Sequence, residues 1–349
     1  MSLFKTVKIK DLRRETADSV SLAFDVDSSN EFRYQSGQYI TIKSTINGED
    51  VRRSYSLSSA PHENDFRVVV KKVENGRMST FLNTSVKVGD ELEVMTPAGN
   101  FIAKNHNANL VGIAAGSGIT PIFSLLKSVL KAGGKFTLYY GNVNVASTIY
   151  KKEIDELLAQ HPNQLSVTYT YDEGASLGFD EINCGRIDDK KMNAFIKTNV
   201  EMLKADGFYI CGPEPMINSV SDALKYVGVP SEKVHFELFT VPVKKEAEKV
   251  TGNFKGTSHL TVLMDGEEIE FDLAADGDFI LDASIEHGVD APFSCKGAVC
   301  CTCKAKVLEG KAIMEMNYSL SDEEVAQGYI LTCQSHPASE KLVVDFDVT

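Results

Sequence analysis

The spacing of four cysteines near the C-terminus constrains this chain more than any other feature. Cys295, Cys300 and Cys303 stand at the spacing C-x4-C-x2-C, and Cys333 follows 30 positions after Cys303. This is the ligand pattern of a plant-type [2Fe-2S] cluster, in which one tight loop supplies three thiolates and a distant segment supplies the fourth. The pattern predicts the chemistry of one-electron transfer.

The predicted cluster loop is rich in small residues. Ser294, Gly297 and Ala298 would let backbone N–H groups approach the sulfurs, an arrangement that helps to set the cluster potential. Cys301 also lies in the loop, but using it in place of Cys300 would break both intervals of the pattern. We therefore expect Cys301 not to be a ligand.

Two other uses of the cysteines remain open on the residues alone. A structural zinc site with four cysteine ligands normally takes two separated C-x2-4-C pairs, not a group of three with a distant fourth. A disulfide framework belongs to an oxidising compartment, but the chain opens with MSLFKTVKIKDLRRE, which lacks the apolar stretch of a secretory signal. Both uses are disfavoured, and we expect a cytoplasmic protein.

The length of 349 residues exceeds what one hydrophobic core usually organises, so we expect two or three domains. Hydrophobic residues make up 43% of the chain and charged residues 24%, which is typical of soluble globular proteins. The longest apolar stretch, LVGIAAGSGITPIF from Leu110, is too short and too interrupted to span a bilayer. We therefore expect no transmembrane helix and no membrane partner.

The formal net charge of −13 is unevenly distributed. Residues 257–349 contain 18 Asp and Glu against five Lys, whereas residues 1–256 contain 31 residues of each sign. The acidic part indicates either an ordinary solvated surface or a docking face that attracts a basic partner. In either case we expect no nucleic-acid ligand, because a nucleic-acid backbone is bound by positively charged surfaces.

The pattern of apolar residues changes along the chain. The first hundred residues read as short alternating strands between Gly, Asn and Asp turns, which predicts an antiparallel barrel with a helix only at residues 78–86. From Asn109 strands alternate with helices, which predicts a parallel sheet. A charged segment without periodicity around residue 250 reads as a linker. Beyond it, HLTVLMDGEEIEFDL predicts a hairpin that turns at Asp265 and Gly266, and FILDASIEHG predicts a short helix.

Two segments of the first hundred residues form a candidate flavin site. They are the string Arg52-Arg53-Ser54-Tyr55-Ser56-Leu57 and the turn from Gly76 to Thr80 that opens a helix. An arginine can hold a phosphate bidentately, a tyrosine can lie against a flat ring, and a helix start can receive more phosphate charge. The first string alone would also suit an edge strand with a surface arginine, but the second string favours the flavin site.

Two later segments form a candidate dinucleotide site. Gly116-Ser117-Gly118-Ile119-Thr120-Pro121 lies where a predicted strand passes into a helix, so that glycine permits close approach and the helix start presents free N–H groups to a pyrophosphate. The loop lacks the G-x-G-x-x-G fingerprint, and alone it would suit a simple strand-to-helix turn. Cys211-Gly212-Pro213 repeats the arrangement at the end of a later strand, where open α/β sheets collect ligands.

These segments together carry a family resemblance. Arg53-x-Tyr55-Ser56, the Gly116-x-Gly118-x-Thr120-Pro121 loop, Cys211-Gly212-Pro213 and Glu237-x-Phe239 resemble motifs of the ferredoxin-NADP reductase family, in that family's order. With the ferredoxin segment behind them, essentially the whole chain resembles the reductase components of bacterial multicomponent oxygenases, especially those of the phenylacetyl-CoA epoxidase type.

The resemblance implies a multidomain fold. We expect an antiparallel β-barrel flavin domain at residues 1–105 and an α/β nucleotide domain with a parallel sheet at residues 106–240. A linker at residues 241–256 would then lead to an α+β plant-type ferredoxin domain of the β-grasp class at residues 257–349.

The resemblance also implies roles for individual residues. Arg53 would bind the FAD pyrophosphate, with Tyr55 and Ser56 also contacting the flavin, and the residues implied to complete the diphosphate site are Lys71, Gly76, Met78, Ser79 and Thr80. The residues implied to receive NADPH or NADH are Gly116, Gly118, Thr120, Pro121 and Gly212. Thr120, Cys211 and Glu237 would position the reacting ring. Phe239 would cover the flavin until nicotinamide displaces it, although without the resemblance it would be read as a core residue.

One position departs from many NADPH-preferring relatives, which carry an arginine just after the Tyr-Gly-Asn strand end. This chain reads Tyr140-Gly141-Asn142-Val143-Asn144 there. Possible substitutes for this arginine are Lys151, Lys152 and Arg186, so NADPH remains a candidate. The missing arginine favours NADH, because NADH needs no such cation.

The function implied by the resemblance is that of an NAD(P)H-dependent oxidoreductase. Electrons would pass from NAD(P)H through FAD to the [2Fe-2S] cluster and on to an oxygenase that docks near the acidic ferredoxin domain. The redox chemistry belongs to the cofactors, and the protein supplies placement and tuning. Another acceptor remains open, namely a ring-hydroxylating dioxygenase, a desaturase or a hybrid-cluster protein, and so does a non-catalytic redox sensor.

Overall fold

The computed structural model describes residues 3–27, 30–174, 178, 180–240 and 254–348. They form two compact units. The larger comprises Phe4–Val51 and Tyr55–Phe239, and the smaller comprises the described part of Thr240–Thr349 together with Leu3 and Arg52–Ser54. Of the predicted linker at residues 241–256, residues 241–253 lie outside the described part. The predicted domain bounds stay predictions.

The elements follow the order expected from the sequence. The strands are β1 (Phe4–Thr16), β2 (Ser19–Asp25), β3 (Tyr39–Ile46), β4 (Glu49–Ser56), β5 (Arg67–Lys71), β6 (Glu91–Met95), β7 (Asn109–Ala115), β8 (Lys135–Asn142), β9 (Leu165–Tyr171), β10 (Gly207–Cys211), β11 (Val234–Glu237), β12 (Thr257–Met264), β13 (Glu267–Ala274), β14 (Lys304–Glu309), β15 (Ala312–Met314), β16 (Tyr329–Leu331), β17 (Ser335–Pro337) and β18 (Lys341–Asp345). The helices are α1 (Arg77–Thr84), α2 (Ile119–Ala132), α3 (Lys151–Gln160), α4 (Asp189–Thr198), α5 (Glu214–Tyr226), α6 (Ile280–Glu286) and α7 (Asp322–Ala326).

The first six strands form the predicted antiparallel barrel. Their order is β4-β3-β6-β1-β2-β5. Leu57, just beyond β4, forms a bridge with Val68 on β5, so the two edge strands of the sheet meet and the sheet closes. The expectation that only residues 78–86 are helical here is corrected, because α1 begins at Arg77 and a further 3-10 turn spans Pro61–Glu63. Its proline occupies the start of the turn, where a missing N–H costs nothing.

The next five strands form the predicted parallel sheet, in the order β11-β10-β7-β8-β9. The chain passes from β7 outward to β8 and β9 and then returns to the other side of β7, so the strand order reverses between β7 and β10. Open α/β sheets bind ligands at the carboxyl ends of their strands at such a switch point. α2 packs tightly over the sheet, because Gly112 on β7 leaves the space that Ile122 fills.

The smaller unit contains a mixed sheet of order β13-β12-β18-β14-β16, with β12 parallel to β18 and antiparallel to β13. The predicted hairpin turn is confirmed: Asp265 and Gly266 have φ values of 54° and 78°, which suit a two-residue turn that needs left-handed backbone. α6 contributes Ile280 and Leu281 to the core of this unit. In the described part of the chain, no helix is long and apolar enough to cross a membrane.

Candidate functional site

The Gly116–Gly118 turn lies at the carboxyl end of β7, beside the switch point. Gly116 has φ +54°, a left-handed conformation that a side chain makes costly. A Cβ on Gly118 would lie 2.0 Å from the carbonyl oxygen of Cys211, so no other residue fits there. The hydroxyl of the buried Thr120 donates to the Ser117 carbonyl at 3.0 Å and fixes the turn. Small residues and a following helix suit a pyrophosphate.

A buried tyrosine that the sequence did not indicate also contacts this turn. The hydroxyl of Tyr140 on β8 donates to the carbonyl oxygen of Gly116 at 3.0 Å. Nothing in the string KFTLYYG distinguishes this side chain from an ordinary core aromatic, so only the structure reveals the contact.

Three predicted residues meet at the ends of β10 and β11. Cys211 and Glu237 are register partners on these parallel strands. The Ser56 hydroxyl, at the end of β4 in the barrel, donates to the Glu237 carboxyl at 3.0 Å. Ser56 is predicted to contact the flavin, and Cys211 and Glu237 are predicted to lie near the nicotinamide. The structure therefore brings residues of the two predicted cofactor sites together.

Burial dominates the electrostatics of this group. It raises the pKa of Glu237 to about 8, against the smaller opposing effect of the Ser56 hydrogen bond. Burial, and then the neighbouring Glu237, also raises the pKa of the Cys211 thiol well above its ordinary value. Both side chains are therefore uncharged at neutral pH, which suits positioning a ring better than acid-base chemistry.

The raised pKa of Glu237 predicts a pH-dependent stability. Between its ordinary value near 4.5 and about 8 the unfolded chain releases a proton that the folded chain retains, so stability falls as the pH rises. We expect the thermal unfolding midpoint of the wild type to decline from pH 5 to pH 8. The free energy of unfolding should fall by about 2–4 kcal/mol at most over this range. Glu237→Gln keeps an acceptor for Ser56 but does not titrate, and it should remove this decline. If the unfolding midpoints of the wild type and Glu237→Gln depend on pH in the same way, the raised pKa of Glu237 is contradicted.

The residues predicted at the FAD diphosphate lie on β4, β5 and the start of α1. Gly76 immediately precedes α1, and Ser79 donates to its carbonyl oxygen at 3.2 Å, which holds the turn that opens the helix. Lys71 lies 3.5 Å from Asp18. Met78 is only 1% exposed and packs in the barrel core, so of this residue only the backbone is suited to binding. Thr80, two residues further on, is partly buried.

The side chains predicted to meet the flavin itself are more accessible. Arg53 is exposed on β4 and donates to the Arg52 carbonyl at 2.7 Å, and Tyr55 is partly buried. Phe239 is 42% exposed. Reading Phe239 as a core residue is therefore wrong, and its accessible ring agrees with the role that the resemblance implies. In the dinucleotide set, Pro121 is buried in α2 and Gly212 is partly buried beside Met216.

The cations considered for an NADPH phosphate each face a carboxylate. Lys151 pairs with Asp155, Lys152 lies 3.8 Å from Glu156, and Arg186 lies 3.1 Å from Asp172. Asn144, two residues after the Tyr-Gly-Asn strand end, donates to Glu173 at 3.1 Å. The three cations would have to exchange these partners for a phosphate.

The four predicted cluster ligands converge in the smaller unit. The Cys300 thiol donates to the Cys295 sulfur at 3.2 Å, and the Cys333 thiol forms hydrogen bonds with Cys295 and Cys303. These bonds lower the pKa of Cys295 and raise the pKa of the donors Cys300 and Cys333. None of the seven cysteines forms a disulfide bond, so the disulfide framework is wrong.

Backbone contacts shape the cluster loop. The Gly297 N–H donates to the Cys295 sulfur at 3.3 Å, which confirms the approach predicted from small residues. Lys296 and Ala298 have φ values of 50° and 61°, so the loop holds two non-glycine residues in left-handed backbone. Thr332 donates to the Cys303 carbonyl from both its N–H and its hydroxyl, at 3.2 and 2.9 Å, which brings the Cys333 segment to the loop.

The donor set fits a [2Fe-2S] cluster. Within the described ranges, no three His, Cys, Asp or Glu side chains are grouped as ligands of one metal ion. A binuclear cluster does not require such a group, because it divides its four sulfurs between two irons. Four clustered thiols in the plant-type order, one of them accepting a backbone N–H, meet that need.

Comparison with known families matches three parts of the chain to known domains. Residues 6–102 match the oxidoreductase FAD-binding domain, residues 113–222 match the oxidoreductase NAD-binding domain, and residues 262–338 match the 2Fe-2S iron-sulfur cluster binding domain. These matches support FAD, NAD(P)H and a [2Fe-2S] cluster as the cofactors.

Individual relatives cover nearly the whole chain. One subunit of the 1,2-phenylacetyl-CoA epoxidase from Escherichia coli (strain K12) is 35% identical over 99% of both chains. The ferredoxin reductase component of 3-ketosteroid-9-alpha-monooxygenase from Rhodococcus rhodochrous is 33% identical over 95% of this chain and 94% of its own. The structure of phthalate dioxygenase reductase shares the fold, with a TM-score of 0.56 and 24% identity over 98% of both chains. The chain therefore belongs to the family of oxygenase reductase components that join an FAD-binding, an NAD-binding and a [2Fe-2S] domain.

Proposed function

We propose that this protein supplies electrons from NAD(P)H to an oxygenase component of the phenylacetyl-CoA epoxidase type. FAD and the [2Fe-2S] cluster, held by the residues named below, would supply the conversion of two-electron transfer from NAD(P)H into one-electron transfer to the acceptor. The observation that carries the proposal is the hydrogen bond from Ser56 to Glu237 at the switch point, because it joins the flavin strand to the residues expected around the nicotinamide.

In this proposal the residues of the chain bind and orient. Gly116, Gly118 and Gly212 admit the dinucleotide backbone, and Thr120 holds the turn through Ser117. Cys211 and Glu237 border the reacting ring as neutral groups. Arg53, Tyr55 and Ser56 hold FAD, together with the diphosphate set of Lys71, Gly76, Met78, Ser79 and Thr80, and Phe239 covers the flavin in the absence of nicotinamide.

The ferredoxin part is proposed to deliver the electrons. Cys295, Cys300, Cys303 and Cys333 hold the cluster, and the acidic character of residues 257–349 would attract a basic surface on the acceptor. We also infer a cytoplasmic location, because thiols are kept reduced there and none of the seven cysteines forms a disulfide bond.

The proposal is tested by reconstitution with the oxygenase. The FAD- and cluster-loaded protein is mixed with a phenylacetyl-CoA epoxidase oxygenase, phenylacetyl-CoA and either NADH or NADPH, and epoxide formation is measured against dinucleotide consumption. We expect coupled turnover that requires both proteins. Rapid reduction of ferricyanide without epoxide would redirect the proposal to another acceptor, and failure to oxidise either dinucleotide would favour a redox sensor.

The same mixture tests the docking surface. Raising the salt concentration from 50 to 500 mM shortens the screening length from roughly 14 to 4 Å, so the apparent affinity for the oxygenase should fall steeply. Ferricyanide reduction by the reductase alone serves as the control, since it does not depend on the oxygenase. A salt-independent affinity would remove the acidic docking face from the proposal.

A further inference from the structure

Tyr140 is a buried side chain whose polar end reaches the dinucleotide loop. The residue lies on β8, next to β7, and is 0% exposed. Its hydroxyl donates to the Gly116 carbonyl at 3.0 Å, and the Ile149 carbonyl lies at 3.4 Å. A phenol has one proton to donate, so the shorter contact takes precedence. Burial raises the pKa of Tyr140 above its ordinary value, so the hydroxyl keeps this proton at any pH the protein tolerates.

The accepting carbonyl belongs to the peptide that sets the direction of the loop. The Gly116 oxygen receives the Tyr140 hydroxyl and also the N–H of Ile119. In a planar trans peptide the C=O and N–H point in opposite directions. The N–H of Ser117, which shares this peptide with the Gly116 carbonyl, therefore points away from Tyr140.

Gly116 cannot fix this direction by itself. Glycine adopts several other backbone conformations as readily as the φ of +54° seen here. The surroundings do not restrict it either, because a Cβ on Gly116 would meet no atom within 4 Å. The next glycine in the turn is held by the close backbone approach to Cys211. The Gly116 end of the turn depends instead on hydrogen bonds to its carbonyl, and Tyr140 supplies the one that comes from the sheet.

We propose that Tyr140 is a positioning residue that holds the Gly116 carbonyl so that the loop keeps its N–H groups directed at the dinucleotide pyrophosphate. This rests on the proposed function, because it takes the loop to be the NAD(P)H site. Tyr140 itself need not touch the dinucleotide.

The test compares two neighbouring tyrosines. Tyr140→Phe removes only the hydroxyl, and Tyr139→Phe is the matched control. Tyr139 is also 0% exposed, lies on the same strand and donates to a backbone carbonyl, that of Ile182, at 3.0 Å. Both variants are loaded with FAD and cluster, and their thermal unfolding is compared with that of the wild type. The equilibrium affinities for NAD+ and NADP+ are then measured by calorimetry, and KM and kcat for NADH and NADPH with ferricyanide.

We expect Tyr140→Phe to weaken dinucleotide binding and raise KM by about 5- to 20-fold, with kcat at saturation nearly unchanged. Tyr139→Phe should stay within about 2-fold of the wild type in both quantities. Equal dinucleotide affinities in the two variants would overturn the proposal. It would also be overturned if the two variants changed KM and kcat by the same factors. If the wild type binds neither dinucleotide, the function proposed above is itself wrong and the role of Tyr140 falls with it.

Discussion

Cys303→Ser is expected to abolish electron transfer to a one-electron protein acceptor such as cytochrome c while leaving flavin reduction by NAD(P)H nearly intact. A serine hydroxyl is a much poorer ligand for iron than a thiolate, so the cluster should be lost or crippled. Loss of a group that merely supports a metal ligand already costs about 10- to 100-fold, so loss of the ligand itself should exceed about 100-fold. The measurements are stopped-flow flavin bleaching, cytochrome c reduction and iron content on one preparation.

Cys301→Ser provides the matched control for that experiment. Cys301 lies in the same loop and is partly buried, but it lies outside the C-x4-C-x2-C spacing. This variant should retain its iron and reduce cytochrome c at the wild-type rate. If Cys301→Ser loses the cluster and Cys303→Ser keeps it, the ligand assignment is wrong. Equal loss of flavin reduction and cytochrome c reduction in Cys303→Ser would contradict the proposed order of electron transfer.

Gly118→Ala is expected to have the second largest effect. The added methyl group would lie 2.0 Å from the Cys211 carbonyl oxygen, an overlap that only a backbone shift can relieve. A displacement of about 1 Å in a positioning group can cost about 100-fold in rate, and we expect a decrease of that size in flavin reduction by NAD(P)H. Stopped-flow absorbance of the flavin measures it. FAD content should not change, because the barrel is not altered.

Gly228→Ala separates this local effect from a general loss of stability. Gly228 has φ +85° and lies just beyond the C-terminal end of α5, and an added Cβ would meet no atom within 4 Å. The variant should lose about 1 kcal/mol of stability from the left-handed backbone alone and keep the wild-type rate of flavin reduction. If Gly118→Ala and Gly228→Ala reduce the flavin at equal rates, the close approach of Gly118 to Cys211 has no role in flavin reduction by NAD(P)H.

Features with a short-range cause were predictable from the sequence. The cysteine spacing places three sulfurs in one loop whatever surrounds it, and the turn at Asp265 and Gly266 follows from two residues that tolerate left-handed backbone. The barrel and the parallel sheet follow from apolar periods of two and from continuous apolar strands. A helix that was not predicted, α4, shows the limit: Asp188 caps it by accepting the Lys191 N–H at 2.9 Å, but its apolar residues are few.

Contacts between distant segments were not predictable. The hydrogen bond from Tyr140 on β8 to Gly116 in the turn after β7 joins residues 24 positions apart, and the one from Ser56 to Glu237 joins residues 181 positions apart. No local pattern encodes either distance, since both depend on how the strands are ordered in the sheets. Met78 shows the opposite case, in which a local motif implies more than the structure supports. The motif implies a binding role for Met78, but its side chain packs in the core.

The double hydrogen bond from Thr332 to the Cys303 carbonyl has a consequence for how the cluster is assembled. It closes a long chain loop with protein groups alone, and a shared apolar core in the same unit contributes to that closure. These protein contacts offset part of the entropy of bringing the fourth sulfur to the other three. The arrangement of the four sulfurs therefore depends on the fold of this unit as well as on the bonds to iron, which distinguishes it from small zinc modules whose folding is driven by the metal.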